Sequence, residues 1–142
     1  MKILKPTLAF ESMVGSAQRA LSASTGSRGF QTLISEYLSV DHRDDTGHGC
    51  PLAALGGEIA RSSDSVREAV TIGFLEMVDL IADQLDGMPP TAARKEALWM
   101  FSTMVGAVTM ARIVTDPEVS AAILRETCKH LIRSSVKSAN GR

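Results

Sequence analysis

Across residues 97–114 the chain carries one charged side chain, Arg112, and this stretch constrains the fold more than any other. At helical spacing Leu98, Phe101, Val105, Val108 and Arg112 fall on one side, while Trp99, Met100, Thr103, Ala107 and Met110 project from others. A helix that is apolar nearly all round must be covered nearly all round. In a chain of 142 residues it either runs through the centre of the domain or gives one face to its own core and another to a second subunit. Gly106 and Ala107, being small, would let a partner backbone come close. The uncharged run within this stretch, residues 97–111, is too short to cross a bilayer.

The segment that follows reads the same way. Asp116 is a good N-cap and Pro117 a good first helical residue, starting a helix that reaches about residue 136. Val119, Ile123, Thr127 and His130 form one stripe, and Ala121, Leu124, Cys128 and Leu131 the neighbouring one. Arg125, Lys129, Arg133 and Lys137 form the wet stripe, which a helix C-terminus favours for its dipole without any nucleic acid being involved. The apolar arc is wider than a surface helix needs. Two such helices meeting their symmetry mates make a four-helix-bundle interface. We therefore expect a homodimer, with Phe101, Val105, Val108, Arg112, Val119, Ile123, Thr127 and His130 at the interface.

The remainder completes an all-α domain of about six helices. The five prolines (Pro6, Pro51, Pro89, Pro90, Pro117) stand where helices start or loops turn, and no segment shows sustained strand-type alternation. A first helix is expected over residues 6–21, then a break over 22–27 centred on Gly26. A second helix carries Phe30, Leu33, Ile34, Tyr37 and Leu38. A polar loop, residues 40–49, leads to a third opening at Cys50 and Pro51. Ser65 and Glu68 have capping-box spacing for the fourth, whose stripe runs Val66, Val70, Phe74, Met77, Ile81, Leu85. One domain over 1–137 with a frayed tail at 138–142 is the expected organisation. A net charge of −1 gives no general attraction to phosphate backbones, and two cysteines are too few for a disulfide framework. With no secretory leader and no membrane span legible, the expected location is the cytoplasm.

Several ordered motifs carry a family resemblance. Tyr37-Leu38-Ser39, His42-Arg43-Asp44-Asp45, the run Gly47-His48-Gly49-Cys50-Pro51-Leu52-Ala53-Ala54-Leu55, and Glu58-Ile59-Ala60-Arg61 follow one another at fixed spacing. Phe101 to Ala107, Ala111-Arg112 and Asp116-Pro117 continue the pattern. Together they resemble the C-terminal domain of TetR/AcrR-type transcriptional regulators, over roughly residues 28–132. The resemblance implies a sensor: a small, usually apolar molecule enters among the middle helices, and the last two helices form the dimer. It also implies about fifty preceding residues holding a helix-turn-helix that reads the major groove. Residue 1 aligns with the helix that would follow that head. This chain alone is thus expected to bind no nucleic acid, acting as a ligand-sensing and dimerisation domain or as a headless partner of a full-length regulator.

Candidate pocket residues come from several stripes: Met13, Phe30, Leu33, Tyr37, Leu55, Ile59, Phe74, Met77, Trp99, Met100 and Thr103. Methionines and a flat indole suit a varied apolar or aromatic effector, and Tyr37 and Thr103 each bring a hydroxyl. Each of these residues also reads as ordinary core. His42, Asp44, Asp45, His48 and Cys50 crowd together, yet their spacing matches no zinc pattern, so neither metal nor cofactor is expected. Cys50 at a helix N-terminus would have a lowered pKa, with His48 nearby as a base. No third group or oxyanion site accompanies them, so catalysis is not expected. Small packing residue is the favoured role for Cys50.

Overall fold

The structure, a computed structural model, describes residues 4–23 and 27–140, with side chains at 8–23 and 27–137. Its described residues form seven helices: α1 (Leu4–Ser22), α2 (Ser27–Tyr37), α3 (Val40–Asp44), α4 (Pro51–Ala60), α5 (Asp64–Ala82), α6 (Pro90–Ile113) and α7 (Pro117–Asn140). Six are the expected ones. The added α3 is a five-residue turn of helix inside the expected polar loop, capped by Ser39, whose hydroxyl accepts from the His42 N–H at 3.1 Å. Gly26 and residues 141–142 lie outside the described residues, and the helix of α7 continues through residues 138–140 of the expected tail.

Local chemistry sets the boundaries. Asp116 Oδ1 accepts from the Glu118 and Val119 N–H groups and caps α7, with Pro117 in the first turn. Pro51 opens α4 where its missing N–H costs nothing. The expected capping box does not form: Ser63 is the N-cap of α5, and Ser65 sits inside its first turn, with its hydroxyl against that of Ser63 at 3.1 Å. Between α5 and α6 the chain reverses through Gly87, whose φ of 81° lies in the left-handed region that suits glycine.

The nearly charge-free segment, α6, is the central helix. It packs against α3, α4, α5 and α7, while α1 packs on α2 and α5. Ala97, Met100, Phe101, Met104 and Val108 are fully buried. Burying side chains of the Phe, Met and Val type contributes about 1.5–3 kcal/mol each, so this seam anchors the domain. A second, smaller cluster joins Phe10, Ile59 and Val70. There α1 and α5 approach so closely that a Cβ on Gly73 would lie 2.6 Å from the Phe10 ring.

Arg112 ties α6 to the α3 corner. Its Nε and Nη2 donate to the carbonyls of Arg43 and His42, both at 3.0 Å, supplying partners to the end of a short helix. Arg43 in turn donates to Ser120 Oγ at 3.0 Å, and the buried Ser120 hydroxyl donates to the Ala111 carbonyl at 2.6 Å. One corner thus joins α3, α6 and α7. The wet stripe of α7 is as expected: Arg125 and Lys129 are exposed and reach Glu126.

Candidate ligand-binding cavity

A cavity of about 390 Å³ opens between α1, α2, the α3 corner and α5. Buried Ala17, Leu33, Tyr37, Cys50 and Met77 form its inner wall; exposed Ser12, Ser16, Glu36, Asp41, Asp45 and His48 form its mouth. Its size suits a small organic ligand, and an apolar interior with a few polar groups is what such sites present. A depression along α2, by contrast, is lined mainly by exposed residues, among them Arg28, Thr32, Ser35 and Glu36.

Helical spacing explains the inner wall. Met13 and Ala17 are four apart on α1, and Leu33 and Tyr37 four apart on α2, so each helix presents two successive turns. Tyr37 is held by edge-on rings, His42 at 4.6 Å and Phe101 at 5.9 Å between centroids. Its hydroxyl is buried and makes no hydrogen bond of good geometry. Burial pushes the Tyr37 pKa well up, and the neighbouring Cys50 adds to the rise. A buried hydroxyl without a good partner costs about 1–3 kcal/mol, and the Cys50 thiol beside it is only a weak one, so this atom is primed for a stronger partner.

The upper wall hangs on His42. Its Nδ1 donates to the Tyr37 carbonyl at 2.6 Å, and its Nε2 accepts from the Cys50 N–H at 2.9 Å. That pair of bonds needs the neutral imidazole with its proton on Nδ1. Burial holds the His42 pKa below its usual value, and the Arg112 guanidinium pushes the same way. Gly49 makes room for the ring: a Cβ there would lie 2.5 Å from His42 Nε2 and 3.1 Å from Arg112 Nη2. Arg112 Nη1 is itself buried and unpaired.

A pH effect follows from this lock. The folded-state pKa of His42 lies below the unfolded value of about 6.5, so the unfolded chain binds more protons in that range. The contribution is complete above the unfolded value and is lost as pH falls from there through the folded one. Urea midpoints should therefore drop between about pH 7 and pH 5, and His42→Ala, although less stable, should flatten that part of the profile. An unchanged slope in the variant would show that other groups carry it.

Of the expected pocket residues, Met13, Leu33, Tyr37 and Met77 line the cavity together. Phe30 and Met100 are buried in the main core, where Phe74 also packs, 5.4 Å from the Phe101 ring. Ile59 belongs to the smaller cluster, and Leu55 is exposed on the far turn of α4 beside Thr109 and Ile113. Trp99 is 48% exposed on α6, and Thr103 bonds back to the Trp99 carbonyl. Neither reaches the cavity, because α6 turns those positions away from α1 and α2. The reading of stripes missed His42, Gly49 and the acidic mouth, although all stand in the motif run between Tyr37 and Cys50.

The crowded donor loop resolves into local bonds. His42 takes the bonds above, Arg43 pairs with Asp44 at 2.8 Å, and His48 bonds Asp45 at 3.0 Å, an interaction that lowers the Asp45 pKa. Among the described residues no group of three His, Cys, Asp or Glu side chains could hold a metal. Cys50 is 1% exposed, and burial raises its pKa, opposite to the lowering expected from a helix N-terminus. Desolvation outweighs the dipole there.

Among the expected interface residues, Phe101 and Val108 are wholly buried within the chain's own core, and Arg112 is spent on α3. Val105, Ile123 and Thr127 are half-buried, whereas Val119 and His130 are exposed. Over residues 98–113 the exposed side of α6 is instead Leu98, Trp99, Ser102, Gly106, Met110 and Ile113, none of them charged, with exposed Arg94 and Lys95 one turn earlier.

A central helix gripped by its neighbours, with a lined cavity beside it, is the architecture of one all-helical domain. Residues 26–130 match the family model described as "Transcriptional regulator LmrA/YxaF-like, C-terminal domain", and the chain belongs to that family. Its members are transcriptional regulators, not enzymes. Two relatives are the HTH-type transcriptional regulators MT0206 and Rv0196 of Mycobacterium tuberculosis, strains CDC 1551 / Oshkosh and ATCC 25618 / H37Rv. Each is 34% identical over an alignment of 91 residues, covering 59% of this chain and 47% of the relative. The chain thus spans about half the length of these curated relatives. Among the described residues no helix is long and apolar enough to cross a membrane.

Proposed function

We propose that this domain senses a small, largely apolar molecule in the cavity between α1, α2 and α5, and that it works as a homodimer joined through α6 and α7. The observation that carries the sensing role is the unpartnered Tyr37 hydroxyl in the wall of an otherwise apolar cavity. The exposed face of α6 over residues 98–113, which is uncharged, supports the dimer: Trp99, Met110 and Ile113 are each 48% exposed or more, with Gly106 open between them. Apolar surface of that extent on one helix is what an interface uses. Val119 of α7 continues it, as the family resemblance leads one to expect.

Sensing and pairing share one helix. A ligand against Tyr37 presses on His42, which Arg112 of α6 holds by its carbonyl. Calorimetric titration with a panel of apolar and aromatic small molecules tests the cavity, since Trp99 lies too far round α6 to report on it. Saturable binding is expected, and Ser16→Trp, at the exposed mouth, should abolish it while leaving the melting temperature unchanged. Binding that survives this block would place the ligand elsewhere.

A further inference from the structure

We propose that the ligand is an amphiphilic cation, seated with its charge at the mouth and a hydrogen-bonding atom at Tyr37. The proposal deepens the sensing role and rests on it. Three carboxylates, Glu36, Asp41 and Asp45, line the mouth, and among the described residues no lysine or arginine lines the cavity. Three arginines stand near it without lining it: Arg112 behind His42 and Gly49, Arg19 donating to Ser16 at 3.0 Å, and Arg28 in the next depression along α2. His42 is kept neutral by burial and by the two bonds its ring makes, and His48 is engaged with Asp45. A cationic group therefore meets attraction at the entrance, and an anion meets repulsion.

Acidic side chains at a surface would carry no ligand by themselves. The second observation is the inner wall, where Tyr37, only 7% exposed, holds a hydroxyl with no partner. Between the two ends stand Met13, Ala17, Leu33 and Met77, an apolar sleeve whose thioethers adapt to a flat ring. A charge at the exposed mouth, an apolar body and a polar tip at the buried wall are thus called for together by one lining. A ligand with those parts reversed would bury its charge against Met77 and leave its apolar part beside the carboxylates.

Three probes sharing one body test this. Each is a 6-hydroxynaphthalene bearing at position 2 a trimethylammoniomethyl, a hydroxymethyl or a sulfonate group. Calorimetry at low salt should rank the cation at least about tenfold tighter than the neutral alcohol, with no measurable binding of the sulfonate. Raising the salt to about 1 M should shrink the preference, because the mouth is exposed. The combined variant Glu36→Gln, Asp41→Asn, Asp45→Asn should equalise the cation and the alcohol while keeping the alcohol's affinity. Tyr37→Phe should weaken both by a similar factor, about fivefold or more. The cation's advantage persisting in the neutralised variant, or the alcohol or sulfonate binding as tightly as the cation, overturns the proposal. Failure of all three probes to bind strikes the sensing role itself.

Discussion

Met110→Arg is expected to convert the proposed dimer to a monomer at micromolar concentration. Met110 is 48% exposed on the uncharged 98–113 face of α6, between Gly106, where a second copy could approach closely, and Val119 at the start of α7. A two-fold interface uses the same patch twice, so each substitution is felt twice. A central contact is worth about 2 kcal/mol or more, and doubling it raises the dissociation constant roughly a thousandfold. Sedimentation velocity reads the result directly. Ile72→Arg is the control: Ile72 is 62% exposed, on α5, and its replacement should leave the dimer intact. A Met110→Arg protein that still sediments as a dimer would move the interface off α6.

Phe101→Ala is expected to cost about 3–5 kcal/mol of folding stability, a large share of what a domain of this size has. Phe101 is fully buried and touches both Phe74 and Tyr37, so its loss leaves a hole in the core seam. The melting temperature should fall by about 10 °C or more, and Phe101→Leu should cost much less. This variant also separates two roles for one residue. A core Phe101 lowers stability at every protein concentration; an interface Phe101 would lower only the association constant. Because its ring braces Tyr37, ligand affinity should fall along with stability.

The helices were legible because their signals are local. Prolines at 51, 90 and 117, the Asp116 cap and the 3.6-residue stripes placed six of them with few errors at the ends. The short α3 was not legible, since its five residues, His42 and Asp44 among them, have no apolar periodicity to read. Met13, Leu33, Tyr37 and Met77, expected together from their stripes, do line one cavity, because those stripes of α1, α2 and α5 face inward. Trp99 and Thr103 stand outside this cavity for one reason: α6 is apolar over most of its surface, so composition cannot say which side faces which neighbour. Phe101 and Val108 were assigned to the subunit face by the same ambiguity.

Sequence alone determined the all-helical class, the order of the long helices and the central place of the charge-poor segment, since hydrophobic periodicity and capping act over a few residues. Its ordered motifs also pointed to the regulator family that the comparison then showed. Only the tertiary structure decided how α6 is rotated about its axis, and therefore that Phe101 faces the core while Met110 faces outward. It alone also brought His42 between Tyr37 and Cys50 and left the Tyr37 hydroxyl without a partner. Those relations join residues on separate helices, and they depend on the packing of the whole chain, which no local pattern encodes.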